Sequence, residues 1–478
     1  MPSFIVTPQD VLFFRDGRPM EAGAGSGGHG ARWPAPSILF DAMHAALHRA
    51  FPEIELTPGG QPAWEHSHHH GRSSDRQYDC LPTQRFGSLA TAGPFPCVCE
   101  EAGSQWLFSC PSDVTKAGPD ALEVLEPIFN AGGSSNLPSP LRYPLGNRSM
   151  PSKDEPKPWW SKAAIEAYLK AAPPLGETFW EKELWETREL FSGEWATGIG
   201  IDPERQTQDG QRIYSAEYLR LRDGVGLGLH ATMPMKNGHS YGHEERLTKL
   251  FPACDTILVG GQQRACQVKS LAGDLKSFLP ISAEIPKDAT RVKWVLLSPS
   301  VFPAINDRTL DGKPKHDKNG NPIQPHPGGW LPNWVHAASG QVLLKKGDTT
   351  RQDGESREAW RTRINDPVRH PFLECRLRAA CVPKPVVLTG WTEALHLGKT
   401  PWAREHGPRP ALFAIPAGAV YYFEGPGASE LSDALSWHGN PAGQDFGHAV
   451  KNRRSALLGE KGYGLGVCGT WKPFGDVR

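Results

Sequence analysis

The sequence has no C-x-x-C pair, no long apolar run and no surplus of either charge. Each absence narrows the field. Nine cysteines are scattered at 80, 97, 99, 110, 254, 266, 375, 381 and 468 of 478 residues. An odd, dispersed set reads as reduced thiols rather than a disulfide framework, and without C-x-x-C a zinc ribbon lacks ligands. No stretch approaches the roughly 18 apolar residues of a membrane helix. The opening MPSFIVTPQDVLFF has no basic segment followed by an apolar core, so a cytoplasmic protein without membrane partners is expected. Lys+Arg and Asp+Glu are 52 each, which excludes a surface coated in positive charge but leaves room for a local basic groove.

Catalytic signatures are missing too. There is no H-E-x-x-H, and neither glycine-rich run ends in G-K-[ST]. Two runs satisfy G-x-G-x-x-G, at Gly23/Gly25/Gly28 and at Gly464/Gly466/Gly469. A dinucleotide fingerprint needs a strand running into the first glycine and a helix opening at the last, and neither run has both. His66, His68, His69 and His70 lie irregularly in a polar stretch and read as a solvated loop. Asp41, His44 and His48 read as the polar face of a helix. No catalytic residue, metal or cofactor is expected.

What the chain does have is glycine and proline, 51 and 45 residues, which favour turns and short strands over long helices. FIVTPQDVLFF predicts one strand or two short ones ending near Phe14, and SILFDAMHAALHRAF from Ser37 predicts an amphipathic helix. SKAAIEAYLKAA predicts a short helix. Strands are expected near 198–202, 256–261, 292–300, 385–391 and as a pair within 410–424. The Asp223-Gly224 turn in EYLRLRDGVGLGLHA predicts a hairpin. Residues 56–80, 311–327 and 343–370 read as insertions. Short strands with few helices mean α+β rather than a doubly wound sheet.

Between the first strand and the first helix, five of the eight residues from Gly23 to Gly30 are glycine. Bare backbone offers N–H donors and admits close neighbours. Arg15, Arg18, His29, Arg32 and Trp33 surround it with charge for phosphates and an aromatic face for a base. GGQQRACQVK repeats the theme with Gly260, Gly261 and Arg264. The stretch NRRSALLGEKGYGLGVCG repeats it with Lys461, Tyr463, Gly464 and Gly466. Each segment alone could be a tight turn or loose loop. Three together suggest a nucleic-acid backbone binder, with Arg15, Arg18, Gly23, Gly25, Gly27, Gly28, His29, Arg32 and Trp33 as its main contacts.

The order of these motifs resembles a known family. DVLFFRDGRPM, the glycine loop and WPAPSILFDAMHAALHRAF are similar to the start of a RAMP-superfamily protein. The closest likeness is to the subunit of the type III-B CRISPR (Cmr) effector complex that holds the crRNA 5′ handle. GIGIDPERQTQDGQRIYSAEYLRL, LVGGQQRA, GGWLPNWV, LTGWTEA, IPAGAVYYFE and GYGLGVCG follow in family order across nearly the whole chain. Gln262 stands where the family often has Glu.

The resemblance implies two ferredoxin-like (RRM-like) domains, 1–190 and 191–478, and a non-catalytic role in antiviral defence. It implies as partners the crRNA, a large cyclase- or polymerase-like subunit, a backbone RAMP subunit and, indirectly, target RNA. Two alternatives stand beside it. One is a RAMP-type crRNA-processing endonuclease using His29 or His44 as base; the other is a purely structural subunit.

Overall fold

In the computed structural model the described residues are 3–15, 28–51, 86, 88–100, 103–117, 121–129, 136–150, 152–170, 182–201, 204–205, 207–233, 244–250, 255–309, 311–316, 320, 322–347, 349, 352, 354–392, 407–408, 411–443 and 446–475. Arg18, Gly23, Gly25, Gly27 and the histidines at 66–70 lie outside them.

The largest sheet is built from β1 (Ser3–Pro8), β2 (Ala90–Glu100), β3 (Gly103–Ser109), β4 (Trp159–Ser161) and β5 (Leu184–Trp185). A ribbon of β6 (Phe191–Ile201) and β7 (Gln208–Leu221) follows in the chain as a separate two-stranded sheet. The large sheet is completed by β8 (Val225–Thr232), β9 (Asp255–Val259) and β10 (Arg264–Leu271). Its order is β9-β10-β1-β8-β2-β3-β4-β5. The sheet draws on residues 3–271 and so runs across the division expected at 190 and 191.

A second sheet follows from β11 (Arg291–Leu296), β13 (Arg376–Cys381), β16 (Val420–Glu424) and β17 (Gly466–Gly469), in the order β13-β16-β11-β17. A small third sheet joins β12 (Ser300–Val301), β15 (Leu412–Ile415) and β14 (Val386–Leu388) in the order β12-β15-β14. Every pairing among these strands is antiparallel. The protein is α+β with several antiparallel sheets.

Strand alternation explains how the two main sheets stack. Alternate residues of a strand face opposite sides. In β1, Phe4 and Val6 join a core under helix α1 (Pro36–Ala50), while Ile5 faces the second sheet. In β16, Val420 and Tyr422 point back to meet it, and Tyr421 and Phe423 pack outward against helix α3 (Ala428–Leu435). The result is four layers: helix, sheet, sheet, helix.

VGLGLHAT in β8 fits the centre of such a stack, for all eight residues are buried. Val225, Leu227, Leu229 and Ala231 fill one core. Gly226 and Gly228 clear the other face, since a Cβ there would meet Ile5 at 2.5 Å and the Trp106 indole at 2.6 Å.

The first helix and most single strands form where the sequence places them. The opening segment ends its ladder at Pro8, and Leu12 and Arg15 continue it as single bridges to Leu219 and Gly30. The SKAAIEAYLKAA helix, α2, runs Lys162–Leu169, with the Ser161 hydroxyl accepting from the Ala164 amide at 3.0 Å. Strands β2 and β3, and a helix at Arg357–Asn365 inside the 343–370 insertion, carry weaker patterns and were not anticipated.

The expected hairpin at Gly224 does not form. Gly224 makes its turn with a φ of 76°, but β7 pairs with β6 whereas β8 lies between β1 and β2. Likewise β15 and β16 enter different sheets. Gly418 turns between them with its Cα side against the Cys110 carbonyl, where a Cβ would come within 2.5 Å. Local pattern sets strand character, and burial against distant strands sets the partners.

Polar groups also tie the layers. The buried Asp113 carboxylate accepts from Tyr168 (2.8 Å) and Tyr422 (2.5 Å), with the Lys293 ammonium 4.0 Å away. Burial holds Lys293 down at about 8 against the pull of Asp113. Arg453, half-buried, donates to the carbonyls of Thr91 and Gly459 at 2.5 and 3.1 Å, which joins the C-terminal segment to β2.

His230 in β8 is buried with its Nδ1 3.2 Å from the Ser3 hydroxyl. Burial, and then the nearby Arg453 charge, hold its pKa down at about 3 against an ordinary 6.5. Between those values the unfolded chain binds a proton that the folded chain refuses. Stability therefore falls as pH drops below about 6.5, by up to about 1.4 kcal/mol per pH unit from this group. Buried His438, held down at about 4, acts in the same direction. Thermal unfolding measured between pH 7 and 4.5 should show melting temperature falling with pH, and His230→Asn should make that slope shallower. Equal slopes would remove His230 as the titrating group.

Candidate functional site

The segment that carries the longest glycine run is closed by a tight neck. The Phe14 carbonyl accepts from the Ala31 amide at 2.6 Å, and Arg15 bridges Gly30. Gly28 is laid along β7, its amide donating to Ser215 at 2.6 Å while its carbonyl accepts from Glu217 at 2.8 Å. A Cβ at Gly30 would collide with the Glu217 carbonyl oxygen, so only glycine lets the returning strand lie this close.

Beside the neck opens a cleft of about 910 Å³. One wall holds Arg15, His29, Arg32 and Trp33. The ribbon contributes Trp195 and Glu217, a directly paired cross-strand couple, and the third sheet contributes the apolar Val386 and Val387. Arg15, His29 and Arg32 are exposed. The His29 Nδ1 lies 3.7 Å from the Glu217 carboxylate, and its ring meets Trp195 edge-on at 5.3 Å. Trp33 is half-buried: its indole N–H donates to the Pro94 carbonyl at 2.9 Å and its ring packs against Phe191 and Trp159. Its ring is thereby fixed as part of the wall.

The other two glycine segments reach the same region but serve packing. Gly260, with a φ of 69°, and Gly261 press on the back of the neck. A Cβ on either would stand 2.7 Å from Phe13, and the Gly261 amide donates to the Phe13 carbonyl at 2.8 Å. Arg264 lies over the Tyr218 ring at 5.4 Å and donates to Gln262 at 2.8 Å. Tyr218 belongs to the ribbon face opposite Glu217, so Arg264 is outside the cleft.

The C-terminal glycine segment corrects the expectation of direct contacts there. Tyr463 is fully buried, its hydroxyl 3.3 Å from that of Ser37, and offers no face for a base. Lys461 is buried too, with its ammonium 2.9 Å from Asp41, so its charge is already neutralised. Gly464 and Gly466 are bare because a Cβ would strike the Ser455 amide and the Trp294 indole. This segment props the start of α1 and the Gly93 turn that form the cleft wall.

His44, expected on a polar face, is buried against Phe40 and Phe86. Among the described residues no group of three or more His, Cys, Asp or Glu could hold a metal ion. No helix among them is long and apolar enough to cross a membrane.

The residues that sequence reasoning missed are Trp195, Glu217, Val386 and Val387. Nothing in their local sequence marks them, because they reach the cleft only through ribbon register and sheet packing.

A cleft with cationic side chains at a glycine neck, aromatic rings and one apolar wall suits a flexible, anionic, base-bearing polymer. The chain belongs to the Cmr3 family of CRISPR-associated proteins, whose model, CRISPR-associated protein (Cas_Cmr3), matches residues 4–471. Among solved structures, two cryo-EM structures of Type III-B Cmr-beta bound to cognate target RNA, one of them with AMPPnP, contain similar chains. Their identities are 12% and 11%, each with a TM-score of 0.35 and coverage of 88% of this chain and 86% of the other. A chain in the crystal structure of the Csm3–Csm4 subcomplex of a type III-A CRISPR-Cas interference complex is similar at 9% identity and a TM-score of 0.32, covering 89% of this chain and 94% of its own. Among curated proteins no relative matches.

Gly464→Ala tests the packing role. With a φ of 78° and the Ser455 amide in the way, the added methyl should lower stability by a few kcal/mol, read as a fall in melting temperature. Tyr463→Phe should leave any RNA affinity unchanged within about twofold, since the ring is enclosed. A selective loss of RNA binding at unchanged melting temperature in Gly464→Ala would reverse the assignment.

Proposed function

We propose that this protein grips the crRNA 5′ handle in the cleft beside the glycine neck and joins the large cyclase-type subunit to the backbone RAMP subunits. As a Cmr3-family member it is a crRNA-binding subunit of a type III-B CRISPR effector complex. The observation that carries the finer reading is the convergence of Arg15, His29, Arg32 and Trp33 on one cleft at the glycine loop's closure. Arg15 and Arg32 neutralise phosphates, and the glycines let backbone approach backbone. Arg18, Gly23, Gly25 and Gly27, which lie outside the described residues, are proposed as further RNA contacts. Target RNA is met indirectly, through the guide.

The subunit works without a catalytic step and in the cytoplasm. His44 is enclosed by rings, and the His29 ring leans on Glu217 and Trp195. We infer two ferredoxin-like units; one main sheet ends at Leu271 and the next begins at Arg291.

The test is to purify the tagged protein gently and sequence the RNA and proteins retained. Short RNAs sharing one 5′ sequence, with a large cyclase-like subunit and a repeated RAMP subunit, are the expected result. Random RNA, or none, would defeat the reading. Arg15→Ala and Arg32→Ala should each weaken RNA retention, and each should reduce the slope of log affinity against log salt by about 0.7. Arg264→Ala, on the far face of the ribbon, should leave that slope alone. Site-specific cleavage of precursor RNA in EDTA, abolished by His29→Ala, would favour the endonuclease instead.

A further inference from the structure

We infer that the cleft contains a base-reading subsite in which the Glu217 carboxylate accepts hydrogen bonds from the Watson–Crick edge of one unpaired nucleotide, guanine being the best match. The inference rests on the RNA-binding reading of the cleft.

Glu217 is the one carboxylate among the described residues that line the cleft, and it stands among Arg15, His29 and Arg32. A site made only for phosphates has no use for it, because a carboxylate repels the phosphate backbone. Nucleobases are the part of RNA that presents N–H donors.

The carboxylate is also given room. Gly193 lies beneath it, and a Cβ there would stand 2.6 Å from Glu217 Oε1. The side chain remains about one-third exposed, open to the cleft, with His29 Nδ1 3.7 Å from Oε2. That distance is too long for a tight hydrogen bond, so acceptor capacity is left over.

A stacking surface sits at the right separation. Trp195 is the direct cross-strand partner of Glu217, so both side chains project from the same ribbon face, with Cβ atoms about 5 Å apart. Trp195 is 52% exposed, with its ring nearly perpendicular to that of His29, so part of its surface stays open to the cleft. A base stacked on that face turns its edge toward Glu217, and the exposed Val386 and Val387 form an apolar wall across the cleft.

Guanine is favoured because its N1–H and N2–H donors lie side by side and match both carboxylate oxygens. Adenine and cytosine offer one amino group each, and uracil one N–H between two carbonyls.

The test binds the full chain to a random pool of single-stranded RNA about ten nucleotides long and sequences what is retained. Wild type should enrich guanine about tenfold or more at one position, within the range of a bidentate contact. Glu217→Gln should keep total retention within about threefold and lose the enrichment, and Glu217→Asp should weaken it. Trp195→Ala should lower retention of every sequence. Folding of each variant is checked by its melting temperature.

Guanine enrichment unchanged in Glu217→Gln, or no enrichment in wild type, overturns the subsite while leaving the cleft as an RNA binder. Glu217-dependent enrichment of adenine or cytosine keeps the carboxylate as reader and overturns guanine. Failure of wild type to retain any RNA overturns the cleft reading itself, and the subsite with it.

Discussion

The site depends on one close approach of backbone to backbone. Where Gly30 passes the Glu217 carbonyl there is no space for a Cβ, and Gly28 two residues earlier is hydrogen-bonded along the same strand. This contact closes the glycine loop at its base and holds the 6–7 ribbon against the first strand's extension. It also sets Arg15, His29 and Arg32 around a common opening. A side chain at position 30 would push the ribbon away and separate Trp195 and Glu217 from the basic wall. The constraint is steric, which is why glycine rather than charge is its sequence signature.

Behind the neck, each layer supports the next. Gly260 and Gly261 press on Phe13 and Phe14, the buried C-terminal glycines let that segment reach Pro36 and Gly93, and Arg453 anchors it to the Thr91 carbonyl. Glycine thus has two uses in one molecule. Near residue 30 it forms the rim of a cleft, while near residues 260 and 464 it admits close packing. Residue type is the same in all three places, and what packs against each glycine separates them.

The stacked sheets make this arrangement rigid. Asp113 with Tyr168 and Tyr422 joins the first half of the chain to the second through charge-assisted hydrogen bonds. Removing one member would strand a buried polar group, a costlier change than losing exposed charge. The exposed arginines of the cleft carry no such buried obligations among the described residues.

Much of the protein was legible in its residues. The α+β character, the helix after the glycine loop, most strand positions and the basic rim at Arg15, His29 and Arg32 follow from short-range pattern, because propensity and periodicity act within a few residues. The order of motifs also carried the family. The pairing of β8 with β1 and β2, and the burial of Lys461 and Tyr463, did not follow, since each depends on residues more than a hundred positions away. The pairing of Trp195 with Glu217, and their arrival beside His29, likewise come from register and sheet packing. Linear sequence names the chemical groups available; only the folded arrangement decides which of them still face solvent.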